Sequence, residues 1–223
     1  MSSPRTVMAV SATSHPAAAR SRPRNRRGEG AKLRTDILAA AAALLDETGD
    51  EQAVTLRAVA RKVGISAPSI YRHFPDRQAI LLALAQEAFA ELADQLAEAT
   101  GTEPVTRLRA VCAAYLDFAA TRPQHYRVMF GGLWNGVEAV EQAAVTDAEV
   151  GALGQEALGV FVAALTDCVA AGGSTSTDPG ADAVALWLGL HGFAQQRVVS
   201  TRFPWPPDIV ERLIAPLAHL RSL

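Results

Sequence analysis

Between Thr55 and Arg77 the chain runs Thr55-Leu-Arg-Ala-Val-Ala-Arg-Lys-Val-Gly64-Ile-Ser66-Ala-Pro-Ser-Ile-Tyr71-Arg-His-Phe74-Pro-Asp-Arg77, and no other stretch limits the fold as tightly. Leu56, Val59, Ala60 and Val63 recur at i, i+3, i+4 and i+7, which places one apolar stripe on a short helix. Thr55 is suited to cap it, and Val54 with Val59 has the spacing of a hydrophobic staple. Gly64 follows the last apolar position, where a residue free to take positive φ ends a helix. Ser66 is placed to cap a second helix, with Pro68 in its first turn, where a missing N–H costs little. Ile70 and Phe74, four apart, face inward, and Ala60 must be small where the two helices cross. Pro75-Asp76 stops the second helix and caps another that starts near Arg77. Two short helices joined by a tight glycine turn form a helix-turn-helix, whose second helix fits a DNA major groove.

The same residues resemble the DNA-binding domain of TetR-family transcriptional regulators. The resemblance covers roughly residues 32–80, and the Tyr71-Arg-His-Phe-Pro75 element is its most specific part. It implies an all-α chain: a three-helix helix-turn-helix domain, linked by a fourth helix to a helical domain that binds ligand and dimerises. Ile37, Leu38, Ala41, Leu44 and Leu45 supply the apolar stripe of the first helix between Asp36 and Asp46. The domains expected are a basic, disordered arm at 1–31, the DNA-binding domain at 32–78 and the ligand and dimer domain at 79–223.

Charge agrees with that division. Residues 1–80 hold 13 Lys/Arg against 7 Asp/Glu, a net of +6; residues 81–223 hold 8 against 16, a net of −8. The whole-chain value of −2 conceals a basic half suited to phosphate and an acidic half unsuited to it. Arg20, Arg22, Arg24, Arg26 and Arg27 stand against Glu29 in a Ser-, Ala- and Pro-rich stretch too polar to bury a core. That arm is either a solvated tail or a contact to phosphates or the minor groove. Arg26-Arg27 is not an export signal, because Glu29, Lys32, Arg34 and Asp36 interrupt the approach to the apolar run. No run reaches the roughly 18 apolar residues of a spanning helix, so a cytoplasmic protein without membrane contact is expected.

For DNA, Thr55, Ser66, Tyr71 and His73 are expected on phosphates, with Arg77 adding a charge. Arg57, Ser69 and Arg72 are candidates for base edges, while Ala67 and Pro68 offer only apolar contact.

From residue 76 onward, apolar spacing of three and four predicts helices near 76–99, 103–121, 124–131, 147–171, 180–200 and 207–221. The Gly172–Pro179 loop reads as a mobile polar connection. Aromatic and polar residues gather as Tyr115, Phe118, His125, Tyr126, Met129, Phe130 and Trp134, and again as Trp187-x-x-x-His191-Gly192. The second element resembles one subgroup of TetR-like C-terminal domains. Individually these residues read as core; together they suggest a pocket for a small, largely apolar effector, with His191, His125 and Tyr126 as polar contacts. Val184, Ala185 and Leu188, with Leu213, Leu217 and Leu220, could pack against a symmetry mate, so a homodimer through the last two long helices on a palindromic double-stranded operator is expected.

The function expected is a sequence-specific regulator, a repressor released by its ligand. One alternative is a DNA-binding dimer controlled by a protein partner, which a filled interior behind Trp187 would favour. A helical enzyme has little support: Cys112 and Cys168 are isolated, and the five histidines lack metal-ligand spacing, so no cofactor or metal is expected.

Overall fold

In the computed structural model, residues 29–132, 140 and 146–221 are described; the arm to residue 28 and Trp134 lie outside them. The described elements are α1 (Glu29–Thr48), α2 (Leu56–Val63), α3 (Ala67–Ile70), α4 (Arg77–Ala97), α5 (Pro104–Thr121), α6 (Pro123–Phe130), α7 (Asp147–Ala152), α8 (Gln155–Ala170), α9 (Pro179–Val199) and α10 (Ile209–Leu217). Among the described residues there is no strand, only one antiparallel bridge between Ser174 and Leu220. The all-α expectation holds. Helix α1 begins at Glu29, inside the segment assigned to the arm.

Two apolar cores organise the chain. The first gathers Ile37, Leu38, Ala41 and Leu45 of α1, Val54, Val59 and Ala60, Ile70, Phe74, and Ile80, Leu81, Ala83, Leu84 and Ala85 along α4. The second is built from the later half of α4 with α5, α6, α8, α9 and Ile214 of α10. Helix α4 runs through both, with Ile80 and Leu81 in one and Leu92 and Leu96 in the other. Helix α6 also serves both: Val128 is buried in the first core, while Tyr126 and Met129 are buried in the second.

Local chemistry sets the helix ends. Thr55 Oγ1 accepts from Ala58 N at 3.1 Å, and Asp76 Oδ1 accepts from Ala79 N at 2.8 Å, each satisfying an N–H that the first turn leaves unpaired. Gly64 ends α2 with φ 77°, a backbone that other residues rarely adopt. Ser66 departs from the capping expectation: its side chain makes no cap bond and instead meets Ser69 Oγ at 2.8 Å.

Two expectations for the second domain fail. The helix expected over 147–171 is broken between α7 and α8, where Gly154 takes φ 75°. A Cβ on Gly154 would stand 2.9 Å from Phe89 Cε1, so the glycine is required both by its φ and by an aromatic ring lying on its backbone. That stretch is apolar, with mean hydropathy 1.4, but its pieces of 6 and 16 residues fall short of a bilayer span.

The Gly172–Pro179 loop, read as mobile, is stitched to the end of the chain. Ser174 and Ser176 are buried; Ser174 Oγ donates to Ala218 O at 2.7 Å, and Thr175 N donates to His219 O at 2.9 Å. A polar sequence read as a loop here spends its polar groups on backbone partners rather than on water.

Candidate functional site

The helix-turn-helix presents a polar outer face. Ile70 and Phe74 are buried, so α3 and the turn after it show their other sides. Regular helix covers only Ala67–Ile70, but His73 N and Phe74 N both donate to Ile70 O, at 2.9 and 3.0 Å, continuing the turn. Thr55, Arg57, Ser66, Pro68, Tyr71 and Arg72 are exposed, and Ala67, Ser69 and His73 are half-exposed. Tyr71 is 53% exposed, a large ring left at the surface beside Arg72. Such a face offers hydroxyls and guanidinium groups to phosphates and base edges.

Arg77 departs from its expected role. Its Nε donates to Val54 O at 3.2 Å and its Nη2 to Glu51 O at 2.7 Å, so it braces the turn before α2 rather than reaching outward. Arg34, which the sequence did not single out, lies over the Phe74 ring at 4.9 Å and adds a cation on the same domain. Lys62 pairs with Glu47 at 2.8 Å and ties α2 to α1.

A cavity of about 350 Å³ lies in the second domain, walled by Phe89, Tyr115, Phe130, Phe161, Trp187 and Leu158 among others. Its aromatic walls touch at angles: Phe89 and Phe130 at 5.4 Å and 85°, Phe130 and Trp187 at 6.1 Å and 43°. Behind them runs a hydrogen-bond chain. Trp187 Nε1 donates to Tyr115 Oη at 3.2 Å; Tyr115 Oη lies 2.9 Å from Tyr126 Oη; Tyr126 Oη lies 2.7 Å from His191 Nδ1. Burial depresses the His191 pKa, favouring the neutral imidazole. Burial also pushes the Tyr115 hydroxyl up to about 12, with Tyr126 and Trp187 bonds opposing, so it stays protonated at neutral pH.

Of the residues expected at a pocket, Tyr115, Phe130 and Trp187 line this cavity, and Tyr126 and His191 stand behind it in the bonded chain. Phe118 and Met129 are buried in the surrounding core rather than on the wall. His125 faces elsewhere. It meets Glu91 at 2.9 Å and borders a smaller cavity of about 110 Å³ between α1, α4 and α6. Burial raises the pKa of Glu87 in that cavity's wall, while Arg34 and His125 lower it. Phe89 and Phe161 were missed. Each is a lone aromatic inside an alanine-rich helix, and only the helix packing brings it to the cavity.

Between cavity and helix-turn-helix stands α6. Its Arg127 donates through Nη1 to Gly49 O at 3.0 Å, and its Nη2 pairs with Glu51 Oε2 at 2.9 Å. Phe130, three residues on, is a wall of the cavity.

The model of bacterial regulatory proteins of the tetR family matches residues 37–84, and that of the tetracyclin repressor-like C-terminal domain matches residues 108–219. The chain is 34% identical over 91 residues to the uncharacterized HTH-type transcriptional regulator YobS of Bacillus subtilis, covering 40% of this chain and 47% of that one. It is 32% identical over 100 residues to the nucleoid occlusion factor SlmA of Photobacterium profundum, covering 44% and 51%. The chain thus spans about half the length of the curated relatives it matches. A solved structure of a protein of unknown function from Rhodococcus sp. RHA1 superposes with a TM-score of 0.65 at 26% identity, covering 83% of this chain and 91% of the other.

Proposed function

This chain belongs to the TetR family of DNA-binding transcriptional regulators, and on that premise we propose that it is a homodimeric repressor released from a palindromic operator by a small, largely apolar effector. In this reading residues 32–78 read DNA and residues 79–223 bind effector and partner copy, in the cytoplasm. Thr55, Ser66, Tyr71 and His73 hold phosphates, and Arg57, Ser69 and Arg72 reach base edges.

The observation that carries the ligand reading is the position of α6. One helix supplies a cavity wall through Phe130, a residue of the DNA-binding core through Val128, and one hydrogen bond and one ion pair to the Gly49–Glu51 turn through Arg127. A molecule that displaces Phe130 therefore displaces a helix fastened to the DNA-reading unit. Release follows when the effector binds the displaced state more tightly than the resting one. A filled interior behind Trp187 would have favoured control by a protein partner; the cavity beside Trp187 supports a small molecule instead.

Dimerisation draws support from α9. Val184 and Leu188 are exposed at 36% and 54%, and Gly192, on the same face, has open space where a side chain would stand. Part of the expected dimer face is used otherwise: Leu217 and Leu220 pack on the chain's own core, and Gly189 faces Leu213 and Leu217 of α10. A second copy covering Val184, Leu188 and Gly192 would bury these residues and set two α3 helices for half-sites about 34–36 Å apart.

The test is selection of bound duplexes from a random DNA library by the purified chain. An enriched palindrome with half-sites one helical turn apart is the expected result. Retention that is salt-sensitive but blind to sequence would overturn the assignment.

A further inference from the structure

The bonded chain behind the cavity has a direction, and that direction selects the polar group a ligand must carry. Trp187 Nε1 can only donate, so Tyr115 Oη accepts from it. Tyr115 Oη also lies 3.3 Å from His191 Nδ1, but placing its hydrogen on that longer contact would set a Tyr126 lone pair against the Nδ1 lone pair at 2.7 Å, so two arrangements of the remaining hydrogens stay open. In one, Tyr115 donates to Tyr126 and Tyr126 donates to His191 Nδ1, across 2.9 and 2.7 Å. In the other, His191 carries its hydrogen on Nδ1 and the sequence runs backwards, ending on a Tyr115 O–H with no acceptor among the described residues. Tyr115 is fully buried on an apolar wall, and an unpaired hydroxyl there is costly. The forward arrangement therefore prevails in the empty cavity. It uses every hydroxyl hydrogen and leaves a lone pair on Tyr115 Oη. The neutral imidazole that burial favours at His191 agrees, because its Nδ1 can then act as the terminal acceptor.

The walls select the rest of the molecule. Phe89, Phe130 and Trp187 meet in tilted and edge-on pairs, and Tyr115 and Phe161 meet at 5.9 Å and 72°. A flat ring placed among them finds both edges and faces, the geometry in which aromatic pairs gain beyond simple burial. None of the lining side chains among the described residues is charged, and an ionised group would enter an apolar site without a partner. Gln155, also on the wall, has its amide nitrogen bound to Gly151 O at 2.6 Å.

We propose that the cavity takes an uncharged aromatic compound bearing a hydroxyl group, with its rings among Phe89, Phe130, Phe161 and Trp187 and its hydroxyl donating to Tyr115 Oη. The proposal rests on the cavity being the effector site and names the chemistry of the effector. A ketone or carboxylate of the same shape meets a lone pair with a lone pair, and binds only by reversing the whole chain.

The experiment uses the full chain and calorimetric titration with four probes: 2-naphthol, 2-methoxynaphthalene, 2-naphthoate and decanoate. The first three share two rings and differ in offering a donor, a capped oxygen and a charge. The wild-type protein is expected to bind 2-naphthol about tenfold more tightly than 2-methoxynaphthalene, a typical factor for one hydrogen bond, and the two acids more weakly still. In Tyr115→Phe the advantage of the naphthol disappears while 2-methoxynaphthalene binds as before. The wild-type comparison decides the matter even if that buried substitution fails to fold. Equal or tighter binding of the methoxy compound or either acid overturns the proposed class. If that binding is abolished by the cavity-filling Leu158→Trp, the effector-site reading survives. Binding of none of the four probes overturns both.

Discussion

Replacing Arg127 by Met keeps most of the side chain's apolar stem but removes the charge that fastens α6 to the DNA-binding domain. Two interactions disappear: the 3.0 Å bond to Gly49 O and the 2.9 Å pairing with Glu51. A bond from a charged donor contributes about 1.5–3 kcal/mol when shielded, but Arg127 is 46% exposed, which draws the value toward the low end. The ion pair adds about 0.2–1 kcal/mol at a surface, and Glu51, only 19% exposed, keeps a poorly solvated carboxylate after its partner leaves. Together these give a destabilisation of about 2 kcal/mol. Equilibrium urea unfolding at fixed protein concentration measures it as a lower midpoint with an unchanged slope. The double mutant with Glu51→Gln isolates the pair, and a coupling of about 0.5–1 kcal/mol is expected. A loss below about 0.3 kcal/mol with no coupling would mean that these bonds do not hold α6, and the route from cavity to DNA argued above would have to be abandoned.

Three further outcomes are expected. Tyr71→Phe weakens binding to all duplexes alike, whereas Arg57→Ala also relaxes base preference; measuring both against a panel of single-base operator variants checks this, and a uniform loss in both refutes the assignment. Gly154→Ala forces an alanine into φ 75° and drives its Cβ to 2.9 Å from Phe89, which should cost about 1–2 kcal/mol in thermal or urea unfolding from the backbone alone. Because burial lowers the His191 pKa, the unfolded chain binds its proton more readily. Stability from this residue is therefore full above its ordinary value of 6.5 and is lost as pH falls below it. Melting curves from pH 7.5 to 5.5 should fall less steeply in His191→Gln than in the wild type, and parallel curves would count against the buried neutral imidazole.

The helix-turn-helix was legible because each of its signals is local: a cap at Thr55, a left-handed glycine at Gly64 and a stripe from Leu56 to Val63 all act within one or two turns. The cavity was legible only in part. Trp187 and His191 share a helix face, so their proximity could be read from spacing, and the structure joins them through Tyr115 and Tyr126. Phe89 and Phe161 could not be found this way, since what makes them wall residues is the packing of α4 and α8 around them. Arg77 was misassigned for a similar reason. An arginine that begins a helix after a DNA-binding motif looks outward in sequence, yet two backbone carbonyls from the distant turn before α2 lie within its reach. The loop after α8 misled because serine and threonine serve water and buried carbonyls equally well.

Val128 sits far along the chain from the helix-turn-helix and yet completes its core. The boundary drawn near residue 78 is therefore not a line along which the molecule can be cut. A chimaera that transplants the DNA-reading segment onto another effector domain would lose the side chain that closes it, unless the recipient offers a valine-shaped residue at the matching place. In folding terms the two halves are one unit, because a change of shape at position 128 has to be matched by the residues of the first core that surround it.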